Sequence, residues 1–357
     1  MLLVRNLKKE FPETDRPGVK RIDLKVEEGE ILGLIGESGS GKTTVLRCIA
    51  GLEEPTEGTI QLDRQLFNEG DLFIPPEKRN IRMVFQETTL FPHLTVFRNV
   101  LFGVEKSASS IPEKVSKILS LVRLDGLEER YPHQLSGGQR QRAELARSLI
   151  SDPKLLLLDE PFSNLDPPLK DALRTEIRGI LASTKTTAII VSHDAEDAFA
   201  LADRIALLRN GEISQYGTPR DLYDNPADEY VASQVGPANI ISGIVLKDGY
   251  LTDIGHLYCS TTEPLNQPVK LCIRPTGFSL EGKNTRSIQA TVLELVLGRG
   301  GSSLRVAVPI NNKSASKELI VKKPNHGDYR IGSFIELTAL PDQIWRFPNP
   351  SFKPAPD

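Results

Sequence analysis

Residues 36–43 read Gly-Glu-Ser-Gly-Ser-Gly-Lys-Thr and match the pattern G-x-x-x-x-G-K-[ST] at every fixed position. Glycines at this spacing let backbone N–H groups approach phosphate oxygens closely. Gly36, Glu37, Ser38, Gly39, Ser40 and Gly41 therefore form a candidate cradle. Lys42 would reach the β- and γ-phosphates and the Thr43 hydroxyl would ligate Mg2+, with Thr44 completing the set. A second cluster, Leu155-Leu156-Leu157-Leu158-Asp159-Glu160, is an apolar run ending in two acids. Asp159 would hold Mg2+, directly or through a water, and Glu160 would polarise an attacking water. His193 closes a further apolar run, Ile189-Ile190-Val191-Ser192-His193. It would reach the γ-phosphate if that run ends beside the same crevice. These groups imply a nucleoside triphosphate and do not say what its hydrolysis drives.

Such groups need strands that end together. Residues 30–36, 155–158 and 188–191 are continuous apolar runs of the kind found in sheets buried on both faces. Helical patterns lie at 42–51, 113–121, 139–150, 169–181 and 194–202. This alternation predicts an α/β fold with a mainly parallel sheet, whose ligands sit beyond the carboxyl ends of the strands. The helix after Gly41 would turn its positive N-terminal end on the phosphates. Cys48, inside that helix, reads as a small buried residue.

The chain has 357 residues, which suggests two or three domains. It carries 44 Lys+Arg against 47 Asp+Glu, a net charge of -3, which argues against a broad hold on nucleic acid. No apolar run is long enough to span a membrane, and the N-terminus has no signal-peptide core, so a cytoplasmic place is expected. Three cysteines without CxxC spacing argue against structural disulfides and a zinc site. After about Gly236 helical periodicity ends. Short runs at 241–246, 269–273, 290–297, 303–308 and 334–340 predict a small all-β barrel or sandwich. The expected domains are thus 1–235 and 236–357. The tail holds 14 Lys+Arg and 10 Asp+Glu, or +4, and the front 30 and 37, or -7. Residues 107–110 are expected in a surface loop, and 347–357 are expected to fray.

Leu135-Ser136-Gly137-Gly138-Gln139 opens the helical run at 139–150. On physical grounds it is a second helix start suited to phosphate. With the other motifs in order, it resembles the signature of ATP-binding cassette (ABC) proteins. In that resemblance Gln86 is the Q-loop glutamine, which touches the metal and the reacting groups. Ser163-Asn164-Leu165-Asp166 is the D-loop, His193 the switch histidine, and Phe11 the aromatic ring against adenine. The resemblance implies a P-loop NTPase core with a helical subdomain at about 88–153. It implies an ATPase using ATP and Mg2+, with Lys42, Gln86, Glu160 and His193 as the catalytic set. It also implies a head-to-tail homodimer. Each ATP would lie between one subunit's phosphate loop and the other's Ser136, Gly137, Gly138 and Gln139, with Asp166 communicating across the interface.

Pro75-Pro76-Glu77-Lys78-Arg79, Val84-Phe85-Gln86 and the segment 90–96 are similar to importer ATPases. This implies two transmembrane permease subunits docking near residues 86–96. An extracytoplasmic substrate-binding protein would act indirectly, and the chain would sit peripherally on the cytoplasmic face of the inner membrane. The tail, with Arg274-Pro275, resembles the OB-like (TOBE) accessory domain of that group. Glu37 replaces a frequent Pro, Glu87-Thr88-Thr89 replaces an acid–aromatic–Ala run, and Thr276 replaces an acid. Residues 73–80 look most like the ferric-iron importers; polyamine, sulfate, molybdate, thiamine and sugar importers share most of that segment. An ABC ATPase acting on nucleic acid or the ribosome is the alternative from another class. One phosphate loop, one signature and no sustained heptad run speak against it, and no nucleic-acid partner is expected.

Overall fold

The computed structural model describes residues 1–11, 18–87, 89–102, 111–163, 166–280, 287–298, 301–310, 315–325 and 327–347. The chain divides into two units, Met1–Pro219 and Arg220–Asp357. The first unit opens with β1 (Leu2–Lys9), β2 (Val19–Val26), β3 (Ile31–Gly36) and α1 (Lys42–Ala50). Strands β4 (Glu57–Leu62), β5 (Gln65–Glu69), β6 (Leu72–Phe73) and β7 (Ile81–Val84) follow. Helices α2 (Val96–Leu101), α3 (Ile111–Leu121) and α4 (Gly137–Leu149) lie between β7 and β8 (Leu155–Asp159). Then come α5 (Pro167–Thr184), β9 (Ala188–Ser192), α6 (Ala195–Leu201), β10 (Arg204–Arg209) and β11 (Glu212–Gly217).

These strands form one sheet in the order β6-β5-β4-β1-β2-β11-β10-β3-β9-β8-β7. β10, β3, β9, β8 and β7 pair in parallel. The far flank, from β6 to β2, is antiparallel. The expected mainly parallel sheet therefore accounts for one half only. The other half escaped because its strands lack continuous apolar runs. β2 buries Val19, Ile22, Leu24 and Val26 and exposes the polar residues between them.

The parallel half brings the motifs together. Register pairs Ile35 with Ser192, Asp159 with Val191, and Val84 with Leu158. The strands carrying the phosphate loop, His193, Glu160 and Gln86 thus end side by side. Val45, Leu46 and Ile49 of α1 are fully buried in the core with Leu34, Leu157 and Val191. Burying each contributes roughly 1.5–3 kcal/mol, which holds α1 and its Lys42 end on the sheet.

The second unit carries α7 (Pro219–Asp224), which begins at the division, and α8 (Glu229–Gln234). Its strands are β12 (Asn239–Leu246), β13 (Gly249–Thr252), β14 (Gly255–Tyr258), β15 (Pro268–Ile273), β16 (Phe278–Ser279), β17 (Ile288–Gly298), β18 (Gly301–Pro309), β19 (Ser316–Lys323), β20 (Phe334–Ala339) and β21 (Ile344–Arg346). They form two five-stranded antiparallel sheets, β14-β13-β12-β15-β21 and β16-β20-β17-β18-β19. Leu271, Ile273, Val292, Leu304, Val306 and Leu337 share one core between them. The unit is all-β apart from its short helices, as the OB-like expectation had it.

The division falls before α7, earlier than the expected 235/236. The buried Arg274 guanidinium explains the shift. It donates to the carbonyls of Tyr223 (2.8 Å) and Ala232 (2.8 Å), tying both helices to β15. Trp345 Nε1 also donates to Pro226 O at 3.0 Å. Phe347, expected to fray, is buried against Ala232 and Cys272. Residues 107–110 and 348–357 lie outside the described residues. All three cysteines are free, and burial pushes the Cys48 thiol up to about 12, which fits a small core residue.

Candidate active site

The phosphate loop leaves β3 at Gly36 and enters α1 after Gly41. Gly36 (φ 147°) and Gly41 (φ 104°) lie where side chains are disfavoured. A Cβ at Gly36 would meet Leu208 O at 2.3 Å, and one at Gly41 would meet Gly18 O at 2.5 Å. Glu37, Ser38 and Gly39 form an exposed rim, and Thr43 is exposed at the start of α1. Lys42 Nζ is buried and donates to Gly36 O at 2.8 Å and Glu37 O at 2.9 Å. These use two of its three N–H groups and leave one for an anion. Burial pushes the Lys42 pKa down, while Glu160, Asp159 and Glu37 pull it back up. Buried Ser40 Oγ has no hydrogen-bond partner among the described residues. A spare ammonium donor and an orphaned hydroxyl in one loop fit a phosphate ligand.

Asp159 ends β8 and is buried. Its Oδ1 accepts from Thr43 Oγ1 at 3.4 Å, bringing two of the three expected metal ligands together. Burial pushes the Asp159 carboxyl up, against the Thr43 hydrogen bond that lowers it. A buried carboxylate beside an exposed hydroxyl fits a hard cation such as Mg2+. No cluster of three or more His, Cys, Asp or Glu suited to a metal occurs among the described residues. A Mg2+ held by one or two protein groups plus substrate phosphates needs none.

Glu160 has φ 46°, a left-handed conformation uncommon for a non-glycine residue. Its N–H donates to Val191 O at 2.9 Å, and its carbonyl accepts from Ser163 Oγ at 3.1 Å. These bonds hold the turn. Glu160 Oε2 contacts His193 Nδ1 at 3.0 Å and accepts from Gln86 Nε2 at 3.4 Å. Three residues singled out separately in the sequence thus meet at one carboxylate. Neither contact uses Oε1.

Phe11 packs on Gly18, where a Cβ would meet its ring at 2.5 Å. Since Gly18 O abuts Gly41, the ring lies close to the phosphate loop. Ser136 caps α4 in a reciprocal box: its Oγ accepts from Gln139 N at 3.3 Å, and Gln139 Oε1 accepts from Ser136 N at 2.9 Å. Gly137 and Gly138 follow as the first turn. Asp166 is the exposed N-cap residue of α5, and Asn164 and Leu165 lie outside the described residues.

Sequence reading missed a buried network beside His193. Arg174 Nε donates to Asp197 Oδ1 at 2.7 Å, and Ser192 Oγ donates to Asp197 Oδ2 at 2.5 Å. A helical Arg and Asp in separate segments carry no local signal; only the flanking Ser192 stood within a quoted run.

A strand–phosphate loop–helix unit and a carboxylate pair, set on this half-parallel sheet, define a P-loop nucleotide-hydrolysing domain. A family model described as "ABC transporter" matches residues 19–163. The chain is 41% identical over 283 residues to the glucose import ATP-binding protein GlcV of Saccharolobus solfataricus, covering 78% of this chain and 79% of that protein. It is 37% identical over 355 residues to the spermidine/putrescine import ATP-binding protein PotA of Pseudomonas fluorescens, covering 92% of each. A dimeric post-hydrolysis structure of the ATP-binding cassette MJ0796 bound to ADP and Pi aligns with a TM-score of 0.53 at 29% identity, over 61% of this chain and 98% of that one. The chain belongs to the ABC transporter family. It is the ATP-binding ATPase of an import system.

Proposed function

We propose that this chain hydrolyses ATP at the Glu160 site and works as one of two copies beneath a membrane permease. The observation that carries this is the convergence of Gln86 and His193 on Glu160 beside the Thr43–Asp159 contact. The 36–41 loop and Lys42 bind the phosphates, Thr44 supports that turn, and Phe11 stacks on the base. Thr43, Asp159 and Gln86 hold Mg2+, which when bound offsets phosphate charge. Glu160 accepts a proton as a water oxygen attacks the γ-phosphorus and the bond to the β-phosphate oxygen breaks. His193 and Gln86 keep that carboxylate aimed and reach the γ-phosphate. In the dimer, Ser136, Gly137, Gly138 and Gln139 of the second copy close each ATP site, and Asp166 lies at the interface.

The segment near residues 86–96 docks the permease, with a substrate-binding protein acting from the far side. The chain is placed peripherally on the inner membrane. No helix among the described residues is long and apolar enough to cross a membrane. Sugar or polyamine is the proposed cargo, in place of ferric iron. The relatives above are named for glucose and for spermidine/putrescine. Polyamine stands first, because PotA aligns over nearly the whole chain. The test is capture of tagged Glu160→Gln with ATP from solubilised membranes of its own cell, followed by mass spectrometry. A multi-span permease encoded beside a polyamine- or sugar-binding protein is expected. Ribosomal proteins without a permease would overturn the reading.

A further inference from the structure

Thr89 belongs to the run that departs from the importer pattern, and nothing in the hydrolytic site uses it. Its N–H and hydroxyl both donate to Glu144 Oε1, the hydroxyl at 3.2 Å. Its carbonyl accepts from Arg147 Nη1 at 2.8 Å, and its hydroxyl accepts from Arg147 Nη2. A threonine hydroxyl offers one donor and two acceptors, so both bonds can form at once. Glu144 and Arg147 lie about one turn apart on α4 and between them satisfy the backbone and side chain of Thr89. Arg147 also lies over the Phe91 ring at 5.6 Å.

Glu144 is 4% exposed. Burial pushes its carboxyl up, against the Thr89 bonds and the Arg147 charge. A buried carboxylate is costly to keep, and an apolar side chain would fill its place at less cost. Apolar contacts allow sliding, whereas hydrogen bonds fix distance and angle. Four such bonds on one residue make a joint that transmits displacement.

We propose that Glu144 and Arg147 are positioning residues that tie segment 86–96 to α4. A push on that segment then moves the helix whose first turn carries Gly137 and Gly138. The proposal rests on the reading of 86–96 as the permease-docking segment. It acts on permease-coupled turnover, because neither residue touches the Glu160 site.

The experiment compares ATP turnover by the free full-length chain with turnover by the chain–permease complex in nanodiscs, for the parent, Glu144→Ala and Glu144→Gln. For Glu144→Ala, free-chain turnover and ATP KM are expected within about twofold of the parent. Complex turnover is expected to fall about tenfold, within the usual range of inter-site coupling. Glu144→Gln keeps an acceptor for Thr89 N–H and should fall less. It also carries the test alone if the alanine variant does not fold. An equal fall in the free chain would mark Glu144 as general scaffolding, and unchanged complex turnover would remove the joint; either overturns the proposal. Failure of the docking reading is distinct: the parent chain itself would then form no permease complex.

Discussion

Arg174→Met should weaken the first unit and misplace His193. Arg174 is 5% exposed, and its guanidinium sits among four carboxylates. Nε donates to Asp197 Oδ1 at 2.7 Å, Nη2 to Asp194 Oδ2 at 3.0 Å, and Nη1 to Asp171 Oδ1 at 2.9 Å. Ser192 Oγ accepts from Asp194 N at 3.0 Å while donating to Asp197, so the residues on both sides of His193 hang from this cation. The Asp171 and Glu196 side chains are exposed, and such surface pairs contribute about 0–1 kcal/mol. The buried pair with Asp197 dominates. Removing one partner leaves an uncompensated buried charge and costs about 3–5 kcal/mol. At roughly 2–4 °C per kcal/mol for a unit of this size, its Tm should fall by roughly 6–20 °C. Scanning calorimetry of the full chain reads this. Below the variant's Tm, kcat should drop while ATP KM holds, because the phosphate loop is untouched. A Tm change within about 2 °C, the size expected of a surface pair, would refute the reasoning.

Lys42→Ala should abolish productive ATP binding or turnover, measured as phosphate release; parental turnover would remove the phosphate-loop assignment. Asp159→Asn should stop Mg2+-dependent turnover yet raise stability at pH 7 in nucleotide- and metal-free buffer. In the parent, burial holds the folded Asp159 pKa above its unfolded value, so stability declines as pH rises from about 4 through the raised pKa. The variant loses that decline, and melting curves from pH 4 to 8 should show its advantage grow with pH. A chain ended after Pro219 should fold and stay soluble. One ended after Val235 should aggregate more, because it keeps α7 and α8 without Arg274, Trp345 and Phe347. Light scattering of the two fragments compares them.

Three of the five parallel strands, β3, β8 and β9, were legible because strands buried on both faces read as continuous apolar runs, and each runs up to a residue of the candidate site; β7 and β10 were not singled out. The glycine loop, Asp159, Glu160 and His193 were legible for the same reason: strand ends and site coincide. The antiparallel flank was not, since one-sided burial breaks its runs with charge. Short strands such as β13 and β14 escaped the periodicity of the tail. The two units divide at the start of α7 and not at 235/236: α7 and α8 look like the helical front in sequence, and the buried Arg274 that binds them to the tail lies far along the chain. The Arg174 and Glu144 networks were illegible for a related reason. Each joins residues distant in sequence, and a lone charge in a helical run normally faces solvent. Cargo was read from residues 73–80 toward ferric iron, yet the closely related import proteins reported above are named for sugar and polyamine.

The most direct test of the account is phosphate release by purified Glu160→Gln beside its ATP affinity. With Glu160 as general base, release should fall at least about a hundredfold. ATP affinity should stay within about threefold, since the base is not part of the phosphate cradle. Release at the parental rate would contradict a site centred on this carboxylate.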